Sequence, residues 1–147
     1  QIWFAIDTDS WEKEGKIQPL REFCACQNDS IARQYSEMKP YQAWNVAQSN
    51  PCFEIWLYYH LYSTLPDEGM VKEYPSMKAF VDSLIVGGFD FQKDPARIDD
   101  AIRNTETNFY RQDNGNPALF ATEQFLLGKE IFRFVGSEIR KLRNKLG

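Results

Sequence analysis

The sequence predicts an α/β fold: a parallel sheet flanked by helices, with a helical C-terminal extension. Three observations predict it. Ile2 to Ile6 is a five-residue apolar run rich in β-formers and ended by polar residues, the pattern of a strand buried on both faces. A second, shorter run, Gln42 to Ala47, follows a stretch of helical spacing, so the two should lie side by side and parallel. Beyond residue 63 the apolar residues recur at helical intervals to the end of the chain. Residues 1–63 are therefore expected to form the C-terminal part of the sheet-bearing core. Residues 64–147 are expected to form a helical extension packed on the same domain. A sheet that begins this abruptly, with two strands and open edges, predicts further strands from a segment upstream of Gln1 or from another chain.

Each element has its own signals. Thr8 to Gly15 reads as the loop after the first strand. Pro19 to about Met38 carries helical spacing through Leu20, Phe23, Cys24, Ile31, Tyr35 and Met38, with a break near Asn28-Asp29-Ser30 and an end at Pro40. Asn50-Pro51 predicts a helix start, Asn as N-cap and Pro at the first helical position, running to about Ser63. That helix is apolar nearly all round and should be deeply buried. Pro66-Asp67-Glu68-Gly69 reads as a turn. Ser76 caps a short helix over Met77, Phe80, Val81, Leu84 and Ile85 that stops at Gly87-Gly88. Asp94-Pro95 opens another, to about Arg111, and Asp113 to Pro117 is a turn cluster. A last helix, from about Thr122 to Leu146, should turn Phe125, Leu126, Ile131, Phe132, Val135, Ile139 and Leu142 inward.

Composition narrows the class. With 147 residues, 43% hydrophobic and 26% charged, the chain should fold as one globular domain rather than stay disordered. No apolar run reaches the roughly 18 residues of a membrane span, and no secretion signal is seen. Cys24, Cys26 and Cys52 lack zinc-type spacing and read as reduced thiols of a cytoplasmic protein. Net charge is −4, which argues against a general nucleic-acid coat. From Lys129 to Lys145, however, six Lys or Arg face two Glu. Arg133, Arg140 and Lys141 on that basic helix are candidate phosphate contacts. The plainer account is that cations gather at a helix C-terminus because its dipole is negative there.

Two constellations could carry chemistry. Asp7-Thr8-Asp9 places two carboxylates at the C-terminal end of a buried strand, where open α/β sheets bind ligands. On a strand, residues two apart point the same way. Like charges so close repel unless a cation joins them, and Mg²⁺ or Mn²⁺ favours one or two carboxylates with phosphate oxygens. Alternatively both aspartates cap the loop. A phosphatase D-x-D would carry Thr or Val where Trp11 stands, and a metal-dependent sugar transferase remains a weaker reading. The second constellation is residues 49–63, S-N-P-C-F-E-I-W-L-Y-Y-H-L-Y-S. Glu54 sits among Phe53, Ile55, Trp56 and Leu57 with no basic partner in helical reach. It is expected to face the aspartates as a ligand or base, although a helix start also favours a carboxylate. Asn50 and His60 are candidates to lie behind the ligands. His60, about 120° from the Glu54 face at about 100° per residue, is more simply a hydrogen-bonded core histidine.

The strand I-W-F-A-I-D-T-D-S followed by S-N-P-C-F-E-I-W-L-Y-Y-H resembles the RloB-like family, which includes the AbiLii-type abortive-infection proteins. The two motifs cover about 25 residues, and Leu61 stands where the family motif has an aromatic. The resemblance implies a Toprim-like fold, as in topoisomerases, primases and OLD-type nucleases. It implies Mg²⁺ (or Mn²⁺) held through the D-x-D, here Asp7 and Asp9, and through a glutamate on a strand upstream of Gln1. It further implies a nuclease acting on DNA or RNA in phage defence, beside an operon-encoded ATPase. The rival expectation is a degenerate domain that binds such a partner, or nucleic acid, without cutting.

Overall fold

Strands β1 (Ile2–Asp7) and β2 (Trp44–Ser49) pair in parallel, from Ile2 against Trp44 to Asp7 against Ser49. The pairing is seen in a computed structural model that describes residues 1–33 and 41–146. The expected side-by-side parallel arrangement holds, and the chain is mixed α/β: among the described residues, seven α-helices surround this two-stranded sheet. Only Ile6 of β1 is buried, while Ile2, Trp3 and Phe4 are half-buried. Among the described residues nothing pairs with the outer edge of β1, so the strand is not enclosed on both faces as its sequence suggests.

Several boundaries move, each for a local reason. Residues Thr8–Lys13 form a helix, α1, rather than a loop. The Thr8 hydroxyl donates to the Ser49 carbonyl at 2.7 Å, closing the strand end, and Gly15 at φ +64° ends the turn that follows. Helix α2 (Ile17–Ala32) runs unbroken through Asn28-Asp29-Ser30, while Tyr35, Met38 and Pro40 lie outside the described residues. The Asn28 side chain is instead turned to β2, accepting from the Trp44 N–H and donating to its carbonyl.

β2 starts and ends two residues later than expected because its outer edge is covered. Residues 120–124 run along it: Ser49 bridges Thr122, Glu123 N–H bonds Gln48, and Gln124 donates to the Ala47 carbonyl. Gln48 and Ser49 are thereby fully buried with their polar groups satisfied. The same segment takes Asn50, whose N–H bonds Ala121 and whose amide donates to Pro117. Asn50 is therefore not a helix cap. Helix α3 (Glu54–Tyr59) starts at Glu54, and His60 follows directly.

Helix α3 is buried as its composition predicts. Ile55, Tyr58 and Tyr59 pack against Met77, Phe80 and Val81 of helix α5 (Met77–Leu84). Trp56 packs the other way, against Ala101 of α6 (Ile98–Thr107) and Phe125 of α7 (Gln124–Leu146). Gly128 allows that approach: a Cβ there would meet the Trp56 ring at 3.1 Å. Ser76 caps α5 as expected, accepting from the Ala79 N–H. The expected turn after Pro66 contains helix α4 (Glu68–Lys72), started by the Asp67 carboxylate accepting from Met70 N–H. Asp94-Pro95 opens a 3₁₀ turn (Asp94–Arg97) leading into α6, which stops at Thr107 rather than Arg111. Arg111 is drawn away by Glu123, which it meets at 2.6 Å. On α7, Phe125 is buried, but Ile131, Val135 and Leu142 are exposed and Phe134 is 81% exposed. Of the stripe expected along the whole helix, Phe125 is buried, Leu126, Phe132 and Ile139 are half-buried, and the remaining three face outward. Among the described residues, no helix is long and apolar enough to cross a membrane.

Candidate functional site

Both strands end at the same level, and the chain leaves them toward the acidic residues. Asp7 is the last residue of β1 and the N-cap position of α1; Asp9 lies in the first turn of that helix, not on the strand. The strand-alternation argument for the pair therefore fails, yet the two charges still meet. Burial, then the Asp9 charge, then the Glu54 charge push the Asp7 carboxyl above its ordinary value, against a lowering hydrogen bond from the Phe53 N–H. The β2–α3 connection brings Glu54 in, because Asp9 N–H bonds the Pro51 carbonyl at 3.1 Å. So Asp7, Asp9 and Glu54 share one corner. Among the described residues no cation forms an ion pair with any of them.

Cys52, two residues before Glu54 in the 49–63 segment, also belongs to this corner. Burial, and the Glu54 carboxylate that accepts its S–H, push the thiol well above its ordinary value, so it stays protonated. The donor chemistry suits a hard divalent cation, since oxygen ligands and uncompensated negative charge are what Mg²⁺ requires. Among the described residues, however, no group of three or more His, Cys, Asp or Glu side chains is arranged to hold a metal. Two carboxylates completed by water and phosphate oxygens is the remaining mode, and it is one Mg²⁺ commonly uses.

A hydrogen-bonded chain runs behind the corner. Gln48 Nε2 donates to the Thr8 hydroxyl at 2.8 Å, and Gln48 Oε1 accepts from Arg21 Nη2 at 2.8 Å. Arg21 Nη2 also reaches Glu123, a carboxylate 2% exposed that accepts from the Gln48 N–H and pairs with Arg111. Nothing local in the sequence marks Glu123. Its partners lie between 12 and 102 positions away.

The other candidates fall elsewhere. His60 is a core residue: its Nδ1 meets the Trp56 carbonyl at 2.9 Å, and its ring sits edge-on to Trp56 and Phe89. The charges that reach it are Asp94, Asp100 and Arg97, not the acidic corner. Asn50 holds the 117–121 segment. On α7, Arg133 pairs with Glu130, Lys141 with Glu138, and Arg140 lies over the Phe132 ring.

His60 carries a prediction. Burial pushes it below its ordinary 6.5, so the folded state resists the proton that the unfolded chain accepts. Its contribution to stability is complete above pH 6.5 and is lost as pH falls below 6.5 toward the depressed folded value. Urea unfolding should show stability falling between pH 7 and pH 5, with this group contributing to the slope. The His60→Phe chain should lack that contribution; an identical slope in both would place the titration elsewhere.

No family model matches the chain, and comparison with curated proteins and with solved structures gave no match.

Proposed function

We propose that the chain is a metal-dependent nuclease of the RloB-like, Toprim-like kind, hydrolysing phosphodiesters in DNA or RNA. One observation supports it most: Asp7 bears the charges of Asp9 and Glu54 at the end of a parallel strand pair, and among the described residues no cationic side chain pairs with them. Asp7 and Asp9 would hold Mg²⁺ (or Mn²⁺), which when bound supplies polarisation of the phosphate. Glu54, kept close by the Pro51–Asp9 bond, is placed to take a proton from the attacking water. Arg133, Arg140 and Lys141 lie exposed on α7, where surface ion pairs are weak enough to exchange for phosphate contacts. Phage defence beside an operon-encoded ATPase is the setting this reading fits.

A second reading has its own support. The lack of a three-ligand group among the described residues favours a binding module that engages an ATPase or nucleic acid without cutting. The two separate in one assay. The full chain is incubated with plasmid DNA and with single-stranded RNA, with Mg²⁺, Mn²⁺ or a chelator, and with or without the ATPase. Cleavage that needs the metal supports the nuclease. Retention of nucleic acid with no cleavage under any condition overturns it in favour of the binding module.

A further inference from the structure

We propose that Thr8 and Gln48 are positioning residues that hold the Asp7–Asp9 turn in the form that accepts a divalent cation. The inference rests on the nuclease reading above. Its basis is the chain from Glu123 through Arg21 and Gln48 to Thr8, the residue between the two aspartates. Every link has a fixed direction. The Ser49 carbonyl can only accept, so the Thr8 hydroxyl donates to it at 2.7 Å and must accept from Gln48. A guanidinium can only donate, so Arg21 fixes the Gln48 amide with its oxygen toward Arg21 and its nitrogen toward Thr8. Thr8 is 6% exposed, Gln48 and Ser49 0%, and Glu123 2%, so water cannot stand in for a lost partner.

The position of the chain argues for more than closing a strand end. Asp7 lies opposite Ser49 in the register, so the Thr8–Ser49 bond ties the two strand ends together beside the carboxylates. Asp7 feels the negative charges of Asp9 and, more weakly, of Glu54, and the repulsion between Asp7 and Asp9 acts to spread the turn. Thr8 resists from behind, while the Asp9–Pro51 bond resists from the α3 side. Buried partners that orient ligands in this way are worth about 10–100-fold in metal affinity.

The test is Mn²⁺ binding to the full chain, measured by titration with paramagnetic resonance alongside thermal unfolding. Thr8→Val keeps the shape and loses both hydrogen bonds; it should bind Mn²⁺ about tenfold more weakly or worse. Thr8→Ser restores the hydroxyl and should return affinity close to wild type. Tyr59→Phe removes a different buried hydroxyl, bonded to the Phe120 carbonyl at 2.9 Å; it should lose stability without losing Mn²⁺ affinity. Should Thr8→Val not fold, Arg21→Met releases Gln48 without touching the corner and should weaken binding several-fold. Wild-type Mn²⁺ affinity in whichever of Thr8→Val and Arg21→Met folds overturns the positioning role alone. A wild-type chain that binds no Mn²⁺ overturns the metal site, and the positioning role with it.

Discussion

Replacing Glu123 by Ala is expected to cost the fold about 3 kcal/mol, the low end of what removing one partner from a buried ion pair costs. Three donors converge on this carboxylate: Arg21 at 2.8 Å, the Gln48 N–H at 3.0 Å and Arg111 at 2.6 Å. Its loss strands the Gln48 N–H where water does not reach, and leaves two guanidiniums without their anion. Those guanidiniums keep 28% and 43% exposure and recover part of their hydration, which holds the figure to the lower end. In a chain of this length that corresponds to a Tm lower by about 10 °C. Glu123→Gln keeps an acceptor for Gln48 and should fall between the two. A loss within about 0.5 kcal/mol, the range of ordinary surface changes, would show that the triad contributes nothing net.

The contrast between Glu123 and Glu54 marks what could be read from the chain. Glu54 stands out locally, because four of its neighbours are large and apolar and no basic residue lies in helical reach. A carboxylate so placed prompts a search for a partner, and the structure sets it near Asp7. Glu123 stands out nowhere: its arginines come from α2 and from the turn before α7, through contacts no periodicity encodes. The same holds for Gln48 and Ser49. Their polarity made them look like the loop after a strand, whereas a segment more than 70 residues later pairs with them and continues the strand. Ser76 and its helix were legible because a cap and its apolar stripe lie within ten residues. Thr8 to Lys13 is a helix where its polarity suggests a loop, because Thr8 and Asp9 find their partners across the strand ends at Ser49 and Pro51. The exposed Ile131, Phe134 and Val135 show the limit of helical spacing, which identifies an apolar face but not what covers it.

Asp7→Asn should separate function from stability most sharply. In the native corner, burial and the charges of Asp9 and Glu54 lift the Asp7 carboxyl above its ordinary 3.8. A carboxyl raised on folding holds its proton longer in the folded state. Its contribution is therefore most favourable below pH 3.8, declines as pH rises through the lifted value, and is a net cost at neutral pH. Asparagine keeps the shape and an acceptor for the Phe53 N–H, and it removes the charge. The variant should be as stable as wild type or more so at pH 7 without metal, with the gain vanishing toward pH 3.8. Added Mg²⁺ should raise the wild-type Tm and leave the variant's unchanged, because a ligand stabilises only the state that binds it. Cleavage should fall by about three orders of magnitude, the rate equivalent of the several kcal/mol that a polarised phosphate contributes. Glu54→Gln should move in the same direction, since it relieves the same repulsion. A corner built only to start helices predicts the reverse, a lower Tm with cleavage intact, and that outcome in Asp7→Asn would remove Asp7 from the site.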